Sequence, residues 1–326
     1  MRSARRGAGG GRSVDMTARV GALELPNPVM TASGTAGHGA ELGAYFDLSE
    51  LGAVVVKSLS AEPWEGNPPP RLVPTAAGML NSVGLQNPGV DTWARGHLPD
   101  LAQAGARVVV SVWARSAAGY EEVGRRVAAL AGGRGAGTVV GVEANISCPN
   151  LEDRGRMFAH APETAATAIA ALAGGLRGSG LPLWAKLSPN VADLVEVAGA
   201  VLRAGATGLT LVNTLLGMAV DPLSGEPRLG AGGGGLSGPA LHPVAVRAVY
   251  ECRRAFPRAA IVGVGGVGTG YDAAELLAAG ADAVQVGTAT FAEPRAPRRV
   301  LAELERWCVG QGLASVGELG KRGSGH

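Results

Sequence analysis

Short apolar, β-branched runs ending in polar residues alternate along this chain with longer segments of helical spacing. The clearest run is Val139-Val140-Gly141-Val142-Glu143-Ala144-Asn145-Ile146-Ser147-Cys148-Pro149-Asn150. A run this short, without a 3.6-residue period, reads as a strand buried on both faces. Pro149 removes a backbone donor and biases Cys148 toward an extended shape, so the regular strand stops here. Seven other runs follow the same plan: Val29–Ala32, Ala53–Ser58, Arg107–Val112, Leu183–Lys186, Gly208–Val212, Ala260–Val264 and Ala283–Val286. Helical spacing falls between them near 41–48, up to 104, and at 118–131, 162–176, 191–204, 239–256 and 271–279, with helical segments closing the chain. Eight strand–helix alternations predict an α/β fold, a (β/α)8 TIM barrel whose polar strand ends gather at the carboxyl mouth. Residues 59–80, continued by Asn81 to Gly89, and residues 216–236 read as excursions over that mouth, the second with a hairpin turn at Leu223-Ser224-Gly225-Glu226.

Composition narrows the class. Hydrophobic residues at 46% and charged residues at 17% suit a soluble enzyme, and a net charge of +2 with no long charge run argues against nucleic acid. No apolar run reaches membrane-spanning length, and the Arg-rich start lacks the apolar stretch of a signal peptide. Residues 1–15 read as a disordered tail, with Met16 as an alternative start, 16–312 as the barrel and 313–326 as a flexible tail. Three cysteines, Cys148, Cys252 and Cys308, without CxxC spacing argue against disulfides and a protein-held iron–sulfur cluster, and point to the cytoplasm. His38, His97, His160 and His242 show no ligand spacing and His326 is terminal, so no metal site is expected.

Of the 29 Lys and Arg residues only three are lysines, Lys57, Lys186 and Lys321. A chain that uses Arg almost everywhere keeps Lys where a compact ammonium is needed. Lys57 and Lys186 follow apolar strands and should point into the mouth, to hold an electron-rich ring or a phosphate, or to form a Schiff base. Lys321 falls in the Gly-rich tail. Gly265-Gly266 and Gly287-Thr288 leave the seventh and eighth strands, where barrels often hold a phosphate on exposed backbone N–H groups. Gly235 to Pro239 adds a flexible turn entering a helix. Singly these glycines read as turns; together they favour a phosphate-bearing ligand. Asn81, Asn145 and Asn213 each offer a donor and an acceptor, which suits a flat ligand edged with N–H and C=O groups, such as a pyrimidine. Cys148 is the candidate nucleophile or general base, whereas Cys252, on a helix, reads as a small buried hydrophobe.

These residues together resemble the class 1 dihydroorotate dehydrogenases, which use a cysteine base and FMN. The motifs are Ala32 to Thr35, Lys57-Ser58, Asn81 to Gly89, Asn145 to Asn150, Asn213-Thr214, Gly234 to Pro239, Gly265-Gly266 and Gly287-Thr288, within residues 17–305. The wording Gly84-Leu85-Gln86-Asn87-Pro88-Gly89 looks like subclass B, the NAD-linked form. The resemblance implies that Ser33, Lys57, Ser58, Asn145, Lys186, Val212, Gly238, Gly265, Gly266, Gly287 and Thr288 bind FMN. It implies that Lys57, Asn81, Ser82, Val83, Gly84, Leu85, Asn145, Asn213 and Thr214 hold the substrate. Cys148 would take a proton from C5 of dihydroorotate as the C6 hydride moves to the flavin, with Lys57 assisting.

Two features depart from the resemblance. Ser111 stands where the family usually places Asn, and bulky Trp113 stands where a small residue is common. They leave open a related FMN enzyme acting on another dihydropyrimidine. A flavin-free lyase with Lys186 as Schiff-base amine is a third reading, and a barrel that binds without catalysis a fourth. The resemblance also implies a partner subunit carrying FAD and a 2Fe–2S cluster, in a homodimer or heterotetramer, and leaves the final electron acceptor open.

Overall fold

The computed structural model describes residues 13–147 and 157–322. Eight parallel strands form one sheet: β1 Val29–Thr31, β2 Val54–Val55, β3 Val108–Val112, β4 Val139–Asn145, β5 Leu183–Leu187, β6 Gly208–Leu211, β7 Ala260–Val264 and β8 Ala283–Val286. Their spatial order is β1-β8-β7-β6-β5-β4-β3-β2. A parallel bridge between Met30 and Ala53 joins the two ends, so the sheet closes into the expected barrel.

Opposite faces of the strands feed different cores, which is why the runs are mostly apolar. Ala53 and Val55 point inward with Met30, Val109, Trp184, Val262 and Ala283, while Val54 and Val56 pack outward into the helix layer. A hairpin, Ala18–Val20 paired with Leu23–Leu25, places Val20 and Leu25 in the inner cluster beside the first residues of β7 and β8. It stoppers the amino end of the barrel.

The two excursions meet over the carboxyl end. Strands Leu72–Thr75, Gly78–Asn81, Gly234–Ser237 and Leu215–Gly217 make one four-stranded antiparallel sheet, with Gly235 opposite Asn81. Val73, Leu80 and Leu229 give this lid its own small core. The expected turn at Leu223–Glu226 is present: Asp221 N donates to Glu226 O (2.9 Å), and Gly225 takes φ +77°.

Three expectations are corrected. The helix expected at 41–48 is two 3-10 turns, Glu41–Ala44 and Leu48–Glu50, because Asp47 accepts from Ser49 N (2.9 Å) and starts a new turn. The helix expected from Pro239 begins as a 3-10 turn, Pro239–Leu241. The α-helix proper is His242–Ala255, with Pro243 in its first turn, where no N–H is required. The segment from 313 is no loose tail over its described part: Leu313, Val316 and Leu319 are buried, Ser315 bridges Asp15, and Glu318–Arg322 is helical.

Candidate active site

The strand ends and the lid sheet enclose a cavity of about 670 Å³, within the range of pockets that enclose a small organic ligand. Every site candidate that falls within the described residues lines it, from Ser33 and Lys57 through Asn81 to Leu85, Asn145, Lys186, Val212 to Thr214, Gly238, Gly265, Gly266, Gly287 and Thr288. Cys148, with Pro149 and Asn150, lies outside the described residues. The charged residues among the described lining are Lys57, Arg115 and Lys186; none is acidic. That described lining favours an anionic ligand.

Hydroxyls and amides from five strand ends are hydrogen-bonded across its floor. Ser58 Oγ stands 3.2 Å from Ser33 Oγ and 2.9 Å from Ser111 Oγ, and Asn145 Nδ2 donates to it at 3.2 Å. Asn213 Nδ2 donates to Asn145 Oδ1 (3.2 Å), and so does Ser147 N (3.2 Å). Tyr120 on helix Ala117–Ala131 donates its hydroxyl to Asn145 O (2.8 Å), fixing the end of β4. Asn81 reaches across the lid, donating to Gly235 O at 3.2 Å. Ser111, in place of the expected Asn, thus reaches its neighbours through Ser58. Trp113 packs edge-on against Trp64 (5.7 Å between centroids), Trp64 Nε1 donates to Gly84 O (3.0 Å), and the Arg115 guanidinium sits 4.7 Å over the Trp64 ring. The unusual Trp113 therefore buttresses the loop that holds Gly84.

The two lysines differ. Burial, and then the positive charge of Lys186, pull the Lys57 ammonium down from 10.5 to about 8, and no carboxylate of the described residues pairs with it. Lys186 is buried and paired: its Nζ is 3.2 Å from Glu143 Oε1 and 3.5 Å from Gln285 Oε1. Gln285 Nε2 donates to Glu143 Oε2 at 2.7 Å.

At the far wall Gly238, Gly265 and Gly266 take φ of +105°, +140° and +68°, conformations that favour glycine. His242, opening its helix, holds the turn through Nδ1 to Gly265 O (2.9 Å) and faces Glu275 through Nε2 (3.0 Å). Thr288 Oγ1 donates to Ser237 Oγ (2.8 Å), tying this wall to the lid. Cys252 is buried and its thiol is pushed up to about 12, chiefly by desolvation, as suits a packing residue.

Sequence reasoning missed Glu143, Gln285, Asn190, Trp64 and Arg115. Glu143 had a signal, a charge inside an apolar strand two residues from Asn145 and so on the same face. Asn190 braces the Thr214 loop, donating to Thr214 O and accepting from Leu216 N, both at 2.9 Å.

Residues 16–307 match the family model described as dihydroorotate dehydrogenase. A relative from Geobacter sp. (strain M21) is 43% identical over 305 residues, 94% of this chain and 97% of its own length. One from Pelobacter propionicus is 44% identical over 305 residues, with the same coverage. One from Alkaliphilus metalliredigens is 44% identical over 314 residues, 95% of this chain and 99% of its own. All three are called dihydroorotate dehydrogenase B (NAD(+)), catalytic subunit. With a family model matched over residues 16–307 and identity of this extent along almost its whole length, the chain belongs to the dihydroorotate dehydrogenase family.

Proposed function

We propose that the cavity binds FMN and dihydroorotate, and that the chain oxidises dihydroorotate to orotate, a CH–CH oxidation, as the catalytic subunit of an NAD+-linked enzyme. The observation that carries this reading is the gathering of Lys57, Asn81, Asn145, Lys186 and Asn213 with the glycine wall in one cavity whose described lining carries cations and no acid.

The residues fit FMN. A Cβ added at Gly266 would stand 2.6 Å from His242 Cβ, and one at Gly265 would stand 2.8 Å from Ala245 Cβ. The wall therefore stays bare backbone, open to a phosphate at the start of helix His242–Ala255. Gly287 and Thr288 would complete that cradle. Ser33, Ser58, Asn145, Lys186 and Val212 would hold the ring. Bound FMN would supply the two-electron acceptor for the hydride leaving C6 of dihydroorotate. Cys148 takes the C5 proton as the C5–C6 double bond forms, so one hydride and one proton leave together. Negative charge that develops at C5, next to a carbonyl, is met by the Lys57 ammonium and the Asn145 and Asn213 amides. The 81–85 loop and Thr214 hold the ring edge. The relatives' names support a second subunit, and a partner carrying FAD and a 2Fe–2S cluster would relay the electrons to NAD+.

The test is the absorbance spectrum of the purified protein before and after anaerobic addition of dihydroorotate, with dihydrouracil in parallel. Bleaching of the flavin band by dihydroorotate is expected. Bleaching by dihydrouracil alone, or a protein that takes up no FMN, would overturn the assignment.

A further inference from the structure

Lys186, Glu143 and Gln285 come from three strands, β5, β4 and β8, and meet inside the barrel. Glu143 and Gln285 are fully buried, and both Glu143 oxygens are used. Lys186 lines the cavity and Glu143 does not. The carboxylate therefore sits behind the ammonium, away from any ligand. An ion pair inside a barrel is a poor way to stabilise it, because apolar side chains of similar volume do as well or better. The layer below, Trp184, Val262 and Ala283, is filled in that apolar way. The pair thus has another consequence: it sets the charge presented to whatever rests on Lys186.

We propose that Glu143 is a positioning residue that fixes Lys186 beneath the FMN ring and cancels part of its charge, so setting how strongly the cavity prefers reduced over oxidised FMN. This rests on the FMN reading above. The oxidised ring is neutral, whereas the reduced ring readily becomes an anion, and a cation beside it favours the anionic form. A carboxylate behind that cation weakens the preference. Glu143→Gln keeps the shape and a carbonyl acceptor but removes the negative charge.

The test compares dissociation constants for oxidised and reduced FMN, with the midpoint potential of the bound flavin. FMN uptake by the parent protein comes first; a parent that takes up none sinks the FMN reading before any variant is made. Glu143→Gln is expected to raise the reduced-to-oxidised affinity ratio at least tenfold, which moves the midpoint up by about 30 mV. The double variant Glu143→Gln/Lys186→Gln leaves neither member of the pair charged and keeps the proposal testable should the single variant fail to fold. It is expected to fall at least threefold below the parent, because the ammonium is nearer the ring than the carboxylate. A ratio that does not rise in Glu143→Gln, even with weaker binding of both forms or a lower melting temperature, leaves Glu143 a structural group and overturns the proposal. A double variant equal to the parent overturns it too.

Discussion

Replacing Lys57 by methionine is expected to stabilise the ligand-free protein while removing the ammonium that serves the chemistry. The native fold holds Lys57 at about 8 against 10.5 for the free side chain, through desolvation first and Lys186 second. At roughly 1.4 kcal/mol per pH unit, that difference is worth about 3 kcal/mol, an upper bound since the side chain keeps some solvent. The sign follows from proton counting. Below pH 8 both folded and unfolded chains carry the proton and the full penalty applies. Between 8 and 10.5 the unfolded chain binds more protons, so stability rises with pH; above 10.5 the penalty is gone. Methionine fills a similar volume without charge. The variant's advantage should therefore be about 2–3 kcal/mol near neutral pH and shrink toward zero at about pH 10. Urea unfolding of flavin-free protein at both pH values measures it, alongside flavin reduction in the loaded protein. A variant no more stable than the parent at neutral pH, or an advantage that does not shrink on alkalinisation, refutes the reasoning.

Cys148→Ala should keep its FMN and slow flavin reduction by roughly 10²- to 10⁴-fold in stopped flow; an unchanged rate removes the thiol from the mechanism. Gly266→Ala forces a side chain into φ +68° and against His242, so the dissociation constant for FMN should rise at least about tenfold, roughly 1.4 kcal/mol, when followed by quenching of flavin fluorescence. A chain ending after Gly312 loses the buried Leu313, Val316 and Leu319, each worth roughly 1.5–3 kcal/mol. Its melting temperature should drop by several degrees, and an unaltered melt would show that this segment only rests on the barrel.

Strand interiors and strand ends were legible because barrel strands are mostly apolar on both faces and turn polar chiefly where they emerge. Asn145, Asn213, Gly265 and Gly287 were therefore found by position alone. What stayed hidden depends on distance in the chain. Gln285 reads as an ordinary polar residue until the barrel closes and sets β8 opposite β4, so that the side chain meets Glu143 across the interior. The two excursions looked like separate loops, since nothing local announces that Gly235 will pair with Asn81. The 41–48 segment had helical spacing, but Asp47 prefers to start a turn rather than continue one. Leu313, Val316 and Leu319 recur every three residues in a Gly-rich end, where composition masked the stripe.

The lid sheet has a consequence for engineering. Its halves are 154 residues apart in sequence where the Asn81 side chain bonds Gly235, and neither half has a sheet partner of its own beyond a short hairpin. Transplanting one excursion from a relative would leave the roof mismatched along that seam. Chimeras that aim to change which molecule enters should swap both excursions as a matched set.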